Sequence, residues 1–191
     1  MIDQEQAQRA VKRTLLRQAI GHALVLGSGA SDEPIGLVTQ ATQSISGGSA
    51  TLTLTMLRSL LYAIQTQGGH CDYLVMSGAM LVTYRGLYDT AVQPAPTVVD
   101  ARTGRTHTAY CGVPILRNDH LPDVVATDST ILALNLDAVR LIYPAGVGDR
   151  GLVETKLATR SNGSVTVRLT QAVGVALMQT SGLAVLTAVQ P

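Results

Sequence analysis

The chain has 191 residues, of which 14% are charged, and a formal net charge of +1. This length fits one domain, or two small lobes on one chain, and can bury a core without staples. The near-neutral charge argues against a dedicated nucleic-acid surface. With no Phe or Trp and only six Tyr, the chain also lacks the stacking platforms of single-strand binders, and its core must be aliphatic.

Residues 3 to 24 read as a helix, because Ala7, Ala10, Val11, Leu15, Ala19, Ile20 and Ala23 recur at three- and four-residue spacing. Asp3 suits its N-cap, and Arg9, Lys12, Arg13 and Arg17 fill much of the other face, expected as a solvated basic surface, with contact to an acidic neighbour as the alternative. Gly27 suits a left-handed helix end. The loop Gly27 to Gly36 is rich in glycine but follows a helix and lacks a Gly-Lys-Ser/Thr ending, so a phosphate loop is rejected. Ser44 to Ser49 reads as a second small-residue loop. A helix is expected over 51 to 67, capped by Thr51 or Thr53, with Leu54, Leu57, Leu60, Leu61 and Ile64 as its stripe. Gly68 and Gly69 end it.

Asp72 to Met76 reads as a short strand. A helix over about 78 to 88 follows, with Met80, Leu81, Tyr84 and Leu87 on one side. Pro94 and Pro96 mark an irregular segment. Residues 97 to 106 read as a strand and turn with Thr103-Gly104-Arg105 at the tip. Tyr110 to Asp119 reads as a strand kinked by Gly112 and Pro114. Proline cannot donate to a ladder, so this strand is expected at a sheet edge. The rest is β: 131 to 136, 139 to 143, then 152 to 159 and 164 to 170 joined by a tight Asn162-Gly163 turn. Val173 to Met178 and Leu183 to Val189 read as a closing pair around Ser181-Gly182.

Reactive residues do not converge in this pattern. His22, His70, His107 and His120 show no metal-ligand spacing, and His107 and Cys111 are four apart on a strand, where that spacing separates side chains. Asn118-Asp119-His120 reads as a polar turn rather than an acid–base pair. No Gly-x-Ser-x-Gly elbow is present. Cys71 and Cys111 are too few for a disulfide framework and read as buried apolar thiols. No apolar run is long enough to span a bilayer, and the polar start Met1 to Gln6 reads as lacking a signal peptide, so cytosolic synthesis is expected.

The order of these elements resembles the tailed-phage major capsid proteins from their long spine helix onward. The resemblance is carried by four phrases. The Gly-rich turn Leu26-Gly-Ser-Gly-Ala-Ser-Asp-Glu-Pro-Ile-Gly-Leu37 follows the helix, and Leu52-Thr-Leu-Thr-Met-Leu57 starts the next. Then come the strand-to-helix phrase Tyr73-Leu-Val-Met-Ser-Gly-Ala-Met80 and the aromatic-x-Gly-x-Pro phrase Tyr110-Cys-Gly-Val-Pro114.

The resemblance implies an α+β capsid-type fold, with the spine helix on an antiparallel sheet and a mixed sheet-and-helix axial domain. It implies three segments: 1–35 (spine helix and turn), 36–170 (axial domain) and 171–191 (strands closing back along the helix). It implies a structural, non-enzymatic subunit with no catalytic, cofactor-binding or metal residues. The subunit would build pentameric or hexameric capsomers of a virion, with other capsid, scaffolding or portal proteins as further partners, and with neither sequence-specific nucleic acid nor membrane. Axial contacts are expected from the loops 91–106 and 144–151.

The family's N-terminal arm and extended hairpin have no counterpart ahead of residue 3, so the isolated chain is expected to be a monomer, or to form pentameric or hexameric rings at high concentration, and not to form stable closed shells. Lys12 and Lys156 are the only lysines and match no crosslinking hairpin. The competing expectations are an encapsulin-like cellular shell and a small soluble α/β ligand-binding domain or enzyme.

Overall fold

A computed structural model describes residues 4–30, 33–89, 93–121, 129–144, 152–156 and 167–191. The fold is α+β. Its centre is a seven-stranded mixed sheet built from β1 (Gln43–Thr51), β2 (Tyr73–Met76), β3 (Thr97–Val99), β4 (Thr106–Tyr110), β5 (Val113–Arg117), β6 (Ser129–Leu134) and β11 (Leu183–Gln190), in the order β1-β11-β6-β2-β5-β4-β3. Two antiparallel pairs stand apart from it. One joins β7 (Val139–Ile142) to β10 (Gly174–Leu177), and the other joins β8 (Leu152–Lys156) to β9 (Val167–Gln171).

Strand alternation divides the sheet's side chains between two cores. Leu74, Met76, Ile115, Ile131, Ala133, Ala184, Leu186 and Val189 face one side, against Leu57, Leu60, Leu61 and Ile64 of α3 (Leu54–Thr66) and Met80 and Tyr84 of α4 (Gly78–Asp89). Val75, Leu132, Leu183 and Val185 face the other side. There they meet Val25 at the end of α1 (Gln4–Leu26), and Leu37 and Val38 of the short α2 (Leu37–Gln40). Both faces are covered, which explains the near-continuous apolar runs of β2, β6 and β11.

Tyrosines do the work of the missing Phe and Trp, and each buried hydroxyl finds a partner. Tyr84 donates to the Ala109 carbonyl at 2.7 Å, Tyr110 to the Leu54 carbonyl at 2.8 Å, and Tyr73 to the Asp100 carboxylate at 2.8 Å. These three bonds tie α4 to β4, β4 to the start of α3, and β2 to the turn after β3. Thr53 caps α3, its hydroxyl accepting from the Met56 amide at 3.3 Å, while Thr51 ends β1.

Several expectations are corrected. Ser44 to Ser49 is no loop: it lies in β1, the sheet's edge strand, parallel to β11. Its small residues serve a close approach, since a Cβ on Gly47 would lie 2.5 Å from Val189 Cγ2 and 2.8 Å from the Ala188 carbonyl oxygen. Positive φ at Gly48, Ser49 and Ala188 marks the register shift shared by the two strands. Gly27 is not left-handed; its lack of a Cβ is needed because the Pro34 carbonyl would sit 2.2 Å away.

The Tyr110–Arg117 segment is not one kinked strand. Cys111 (φ 49) and Gly112 (φ 82) form a two-residue hairpin turn between β4 and β5, as right-handed strand twist requires. Nor is β5 an edge strand, since it pairs with both β2 and β4. Pro114 is accommodated because it precedes Ile115, where pairing with β2 begins, so no ladder donor is missing there.

β10 and β11 do not pair with each other. β10 joins β7, and β11 runs between β1 and β6. Within 171–191, β11 therefore completes the central sheet while β10 pairs with β7, and among the described residues Val25 and Leu26 of α1 share a core cluster with this segment. Asp3 and the Asn162-Gly163 turn lie outside the described residues, while the register of β8 and β9 is that of a hairpin.

Cys111 sits at a left-handed position that costs an ordinary L-residue about 1–2 kcal/mol and asparagine less. Cys111→Asn is expected to stabilise the protein by about 0.5–1 kcal/mol in denaturant titration, and Gly112→Val to destabilise it by at least about 1 kcal/mol. Leu74→Ala, which empties the main core, is expected to cost about 2–5 kcal/mol.

Candidate functional site

What stands out is apolar surface that the subunit leaves uncovered. α1 has the periodicity of an amphipathic helix, yet Ala7, Ala10, Val11, Leu15 and Ala19 are exposed, Val11 by 58% and Leu15 by 51%. On the other side of the helix Arg9 and Leu16 are half-buried, and burial increases towards the end, from Ile20 to Val25. A helix draws most of its stability from packing its apolar face. The first four turns of α1 therefore present an exposed apolar stripe that, among the described residues, no other element covers.

The β7–β10 pair repeats this pattern. Leu141 and Ile142 are 55% and 53% exposed. They are neighbours on one strand, so they project from opposite faces. Met178, just past β10, is 65% exposed. An isolated two-stranded ribbon is marginal in water, and this one carries apolar side chains on both faces.

α1 is held to the rest of the chain by a charge clamp as well as by its C-terminal end. Arg9 Nη1 lies 2.9 Å and Arg13 Nη2 2.8 Å from the two carboxylate oxygens of Glu154 on β8. Part of the basic face expected to be solvated is thus spent inside the chain, where it fixes the β8–β9 pair against the helix.

At the far end of the central sheet, the turn joining β3 to β4 is organised by Asp100. This buried carboxylate accepts from the Arg102 amide, the Thr103 hydroxyl and the Tyr73 hydroxyl, each at 2.8 Å. These hydrogen bonds, led by the Arg102 amide, hold its pKa below the usual carboxylate range, while burial and the same carboxylate push the Tyr73 phenol up. The expected strand and turn over 97–106 is thus an Asx turn, with Asp100 of Asp-Ala-Arg-Thr-Gly as its anchor. This turn is the described part of the expected 91–106 contact loop. Of the 144–151 loop only Pro144 is among the described residues.

The histidines and cysteines do not gather. His22 and His120 meet edge-on, ring centres 6.4 Å apart, and the His120 ring rests over Gly21. His70 Nε2 lies 3.5 Å from Asp72 and 3.8 Å from Asp137. Asn118 Oδ1 accepts from the His120 amide, as a polar turn requires, and Asp119 pairs with Arg117 at 2.6 Å. Among the described residues no three His, Cys, Asp or Glu side chains are placed to hold a metal ion. Cys71 is half-buried, and burial pushes its thiol up to about 12, far from a reactive thiolate. Cys111, expected to be buried, is exposed because the hairpin turn projects it outward. Lys12 lies on α1 and Lys156 ends β8.

A family model described as the phage capsid family matches residues 7–188. No curated protein matches the sequence. Among solved structures, the encapsulin of the holo-SrpI complex from Synechococcus elongatus PCC 7942 superposes with a TM-score of 0.77 at 17% identity, covering 98% of this chain and 65% of its own. The capsid of Myoviridae phage XM1 gives 0.72 at 15% identity, and the native GTA particle capsid gives 0.69 at 16%. Each covers 98% of this chain and 66% of its own. The fold is therefore that of these shell proteins, and the chain spans about two thirds of their length.

Two outcomes follow from this geometry. Asp100→Asn is expected to loosen the β3–β4 turn, raising amide exchange at 100–105. Because the Asp100 pKa is lowered on folding, its contribution is present above the unfolded-state value near 3.8 and fades as pH falls through the folded-state value. The stability gap between wild type and Asp100→Asn should close accordingly in acid. Glu154→Gln is expected to raise exchange in β8 and β9 while changing global stability by no more than about 1 kcal/mol.

Proposed function

The chain belongs to the phage capsid family, and on that premise we propose that it is a structural, non-enzymatic subunit of a virion shell that works by packing against further copies of itself. The observation that carries this reading is the uncovered apolar surface of α1 and of the β7–β10 pair. A monomer gains nothing from exposing Val11, Leu15, Leu141, Ile142 and Met178, whereas an interface core made of them would be dry and apolar.

The subunit divides into two limbs. α1 with β8 and β9 forms the peripheral one, and the seven-stranded sheet with α3 and α4 the axial one. The Asp100 turn lies at the axial limb's edge strand, where head-to-tail copies meet around an axis. A head-to-tail contact closes into a ring when its rotation divides a full turn, which gives pentameric or hexameric capsomers. Other capsid, scaffolding or portal proteins are the further partners of this role. An encapsulin-like cellular shell is the alternative and is not favoured, since at 17% identity the encapsulin's TM-score of 0.77 reflects the shared fold alone. It uses the same self-packing surfaces.

The test is self-association. Mass photometry and negative-stain microscopy over a concentration series should show ring-sized assemblies of the wild-type chain. Leu15→Glu and Leu141→Glu should each return it to monomer with an unchanged circular dichroism spectrum, because a charge at a buried interface position is costly. A wild-type chain that stays monomeric or dimeric throughout, or charged variants that assemble like wild type, would overturn the reading.

A further inference from the structure

A cavity of about 370 Å³ opens between α4 and the strands β3, β4 and β5. It is unconnected with the apolar surfaces described above. Leu81 and Ile115 supply its apolar lining, and Arg85, Arg117, Thr97, Thr106 and Thr108 its polar one. The placement follows from local geometry. Leu81 and Arg85 are four apart on one face of α4, and Ile115 and Arg117 are two apart on one face of β5. Thr97 and Thr108 face each other across the β3–β4 ladder, and Thr106 lies two residues before Thr108. His107 also borders the cavity, but alternation sends its side chain to the opposite face.

The charge of this cavity is lopsided. Arg85 donates through Nη2 to the Thr108 hydroxyl at 3.1 Å and, among the described residues, pairs with no carboxylate. Arg117 is engaged through Nε by Asp119 at 2.6 Å, in a pair whose side chains are 62% and 68% exposed. An exposed pair of this kind is worth at most about 1 kcal/mol, so Asp119 is readily exchanged for a better acceptor. Two planar guanidinium forks and three hydroxyl donors around one concavity suit a tetrahedral oxyanion. The volume exceeds what a bare phosphate fills and reaches the range of small-ligand sites, about 300–1,000 Å³.

We propose that this cavity binds the phosphate group of a nucleotide-sized ligand, with Arg85 and Arg117 clamping the phosphate oxygens, the threonine hydroxyls completing the cradle, and the half-buried Leu81, over a floor of buried Ile115, receiving the ligand's apolar face. Asp119 acts as a built-in competitor that the phosphate displaces from Arg117. The site reads phosphate and a flat apolar surface, not base sequence, so it is compatible with a chain of near-neutral charge.

Isothermal titration calorimetry on the full chain tests this, with AMP, inorganic phosphate and a short oligothymidylate as probes. AMP is expected to bind saturably with one site per chain. Arg85→Ala should weaken it by about tenfold, with Arg85→Lys in between, because lysine keeps the charge and loses the fork. Asp119→Asn should tighten binding by about threefold, since it frees Arg117. That gain is the informative result, because a general loss of positive surface or of folding cannot produce it. AMP binding far tighter than inorganic phosphate identifies a nucleotide as the ligand. Equal binding identifies free phosphate. Oligothymidylate binding more tightly than AMP, with the same Arg85 and Asp119 dependence, identifies a nucleotide unit of a polymer.

No saturable binding of any probe overturns the proposal. So does binding that Arg85→Ala and Asp119→Asn leave unchanged. Circular dichroism of each variant checks the fold, and because Arg85 and Asp119 are exposed they can be replaced without opening the core.

Discussion

The pairing of β11 between β1 and β6 is the constraint on which the rest of this structure depends. β11 is the last strand of the chain, yet it sits inside the sheet, parallel to β1 and antiparallel to β6. Its alternate residues feed both cores: Ala184, Leu186 and Val189 on the α3 side, Leu183 and Val185 on the α1 side. Without it β1 has no partner, and Val25 loses two of the buried residues of its cluster. Non-local closure of this kind sets a high entropic cost before any contact forms, so the central sheet is expected to consolidate late and as one unit.

Two parts of the molecule are built to different standards. Around β11 every layer is closed, and the tyrosine hydroxyls that an aliphatic core would leave unsatisfied each reach a carbonyl or carboxylate. Around α1 and the β7–β10 pair the layers are open. The helix is held by its last turn and by Glu154, and its apolar stripe faces outward. A subunit rigid at its centre and incomplete at its rim can finish folding against a neighbour, which ties assembly to the order of its outer elements.

The cavity under Arg85 and Arg117 belongs to the rigid part. Its walls come from a helix and three paired strands, so the backbone that carries its donors is set by the same contacts that fix the core, while the guanidinium groups themselves are exposed. That separates it from the open surfaces: a change at Asp119 or Arg85 touches neither α1 nor the β7–β10 pair.

The sequence by itself determined the local elements, because their signals are local. Leucines at helical spacing behind Thr53 define α3, the apolar run 73–76 ending at Ser77-Gly78 defines β2 and the start of α4, and the phrases shared with capsid proteins carried the fold class. Its histidine, cysteine and carboxylate spacing matches no familiar metal or nucleophile motif. Tertiary structure decided what each element touches. Ser44 to Ser49 is a strand only because β11 lies beside it, and Gly47 reveals its purpose only against Val189 and Ala188. The Tyr110–Pro114 phrase was legible as β, but not its turn, because Cys-Gly lacks the asparagine that usually announces a left-handed pair. Arg9 and Arg13 meet Glu154, and Arg85 comes to face Thr108, across separations of 23 to 145 positions. Spacing along a chain cannot encode contacts between elements whose relative placement is set by which apolar faces are buried together.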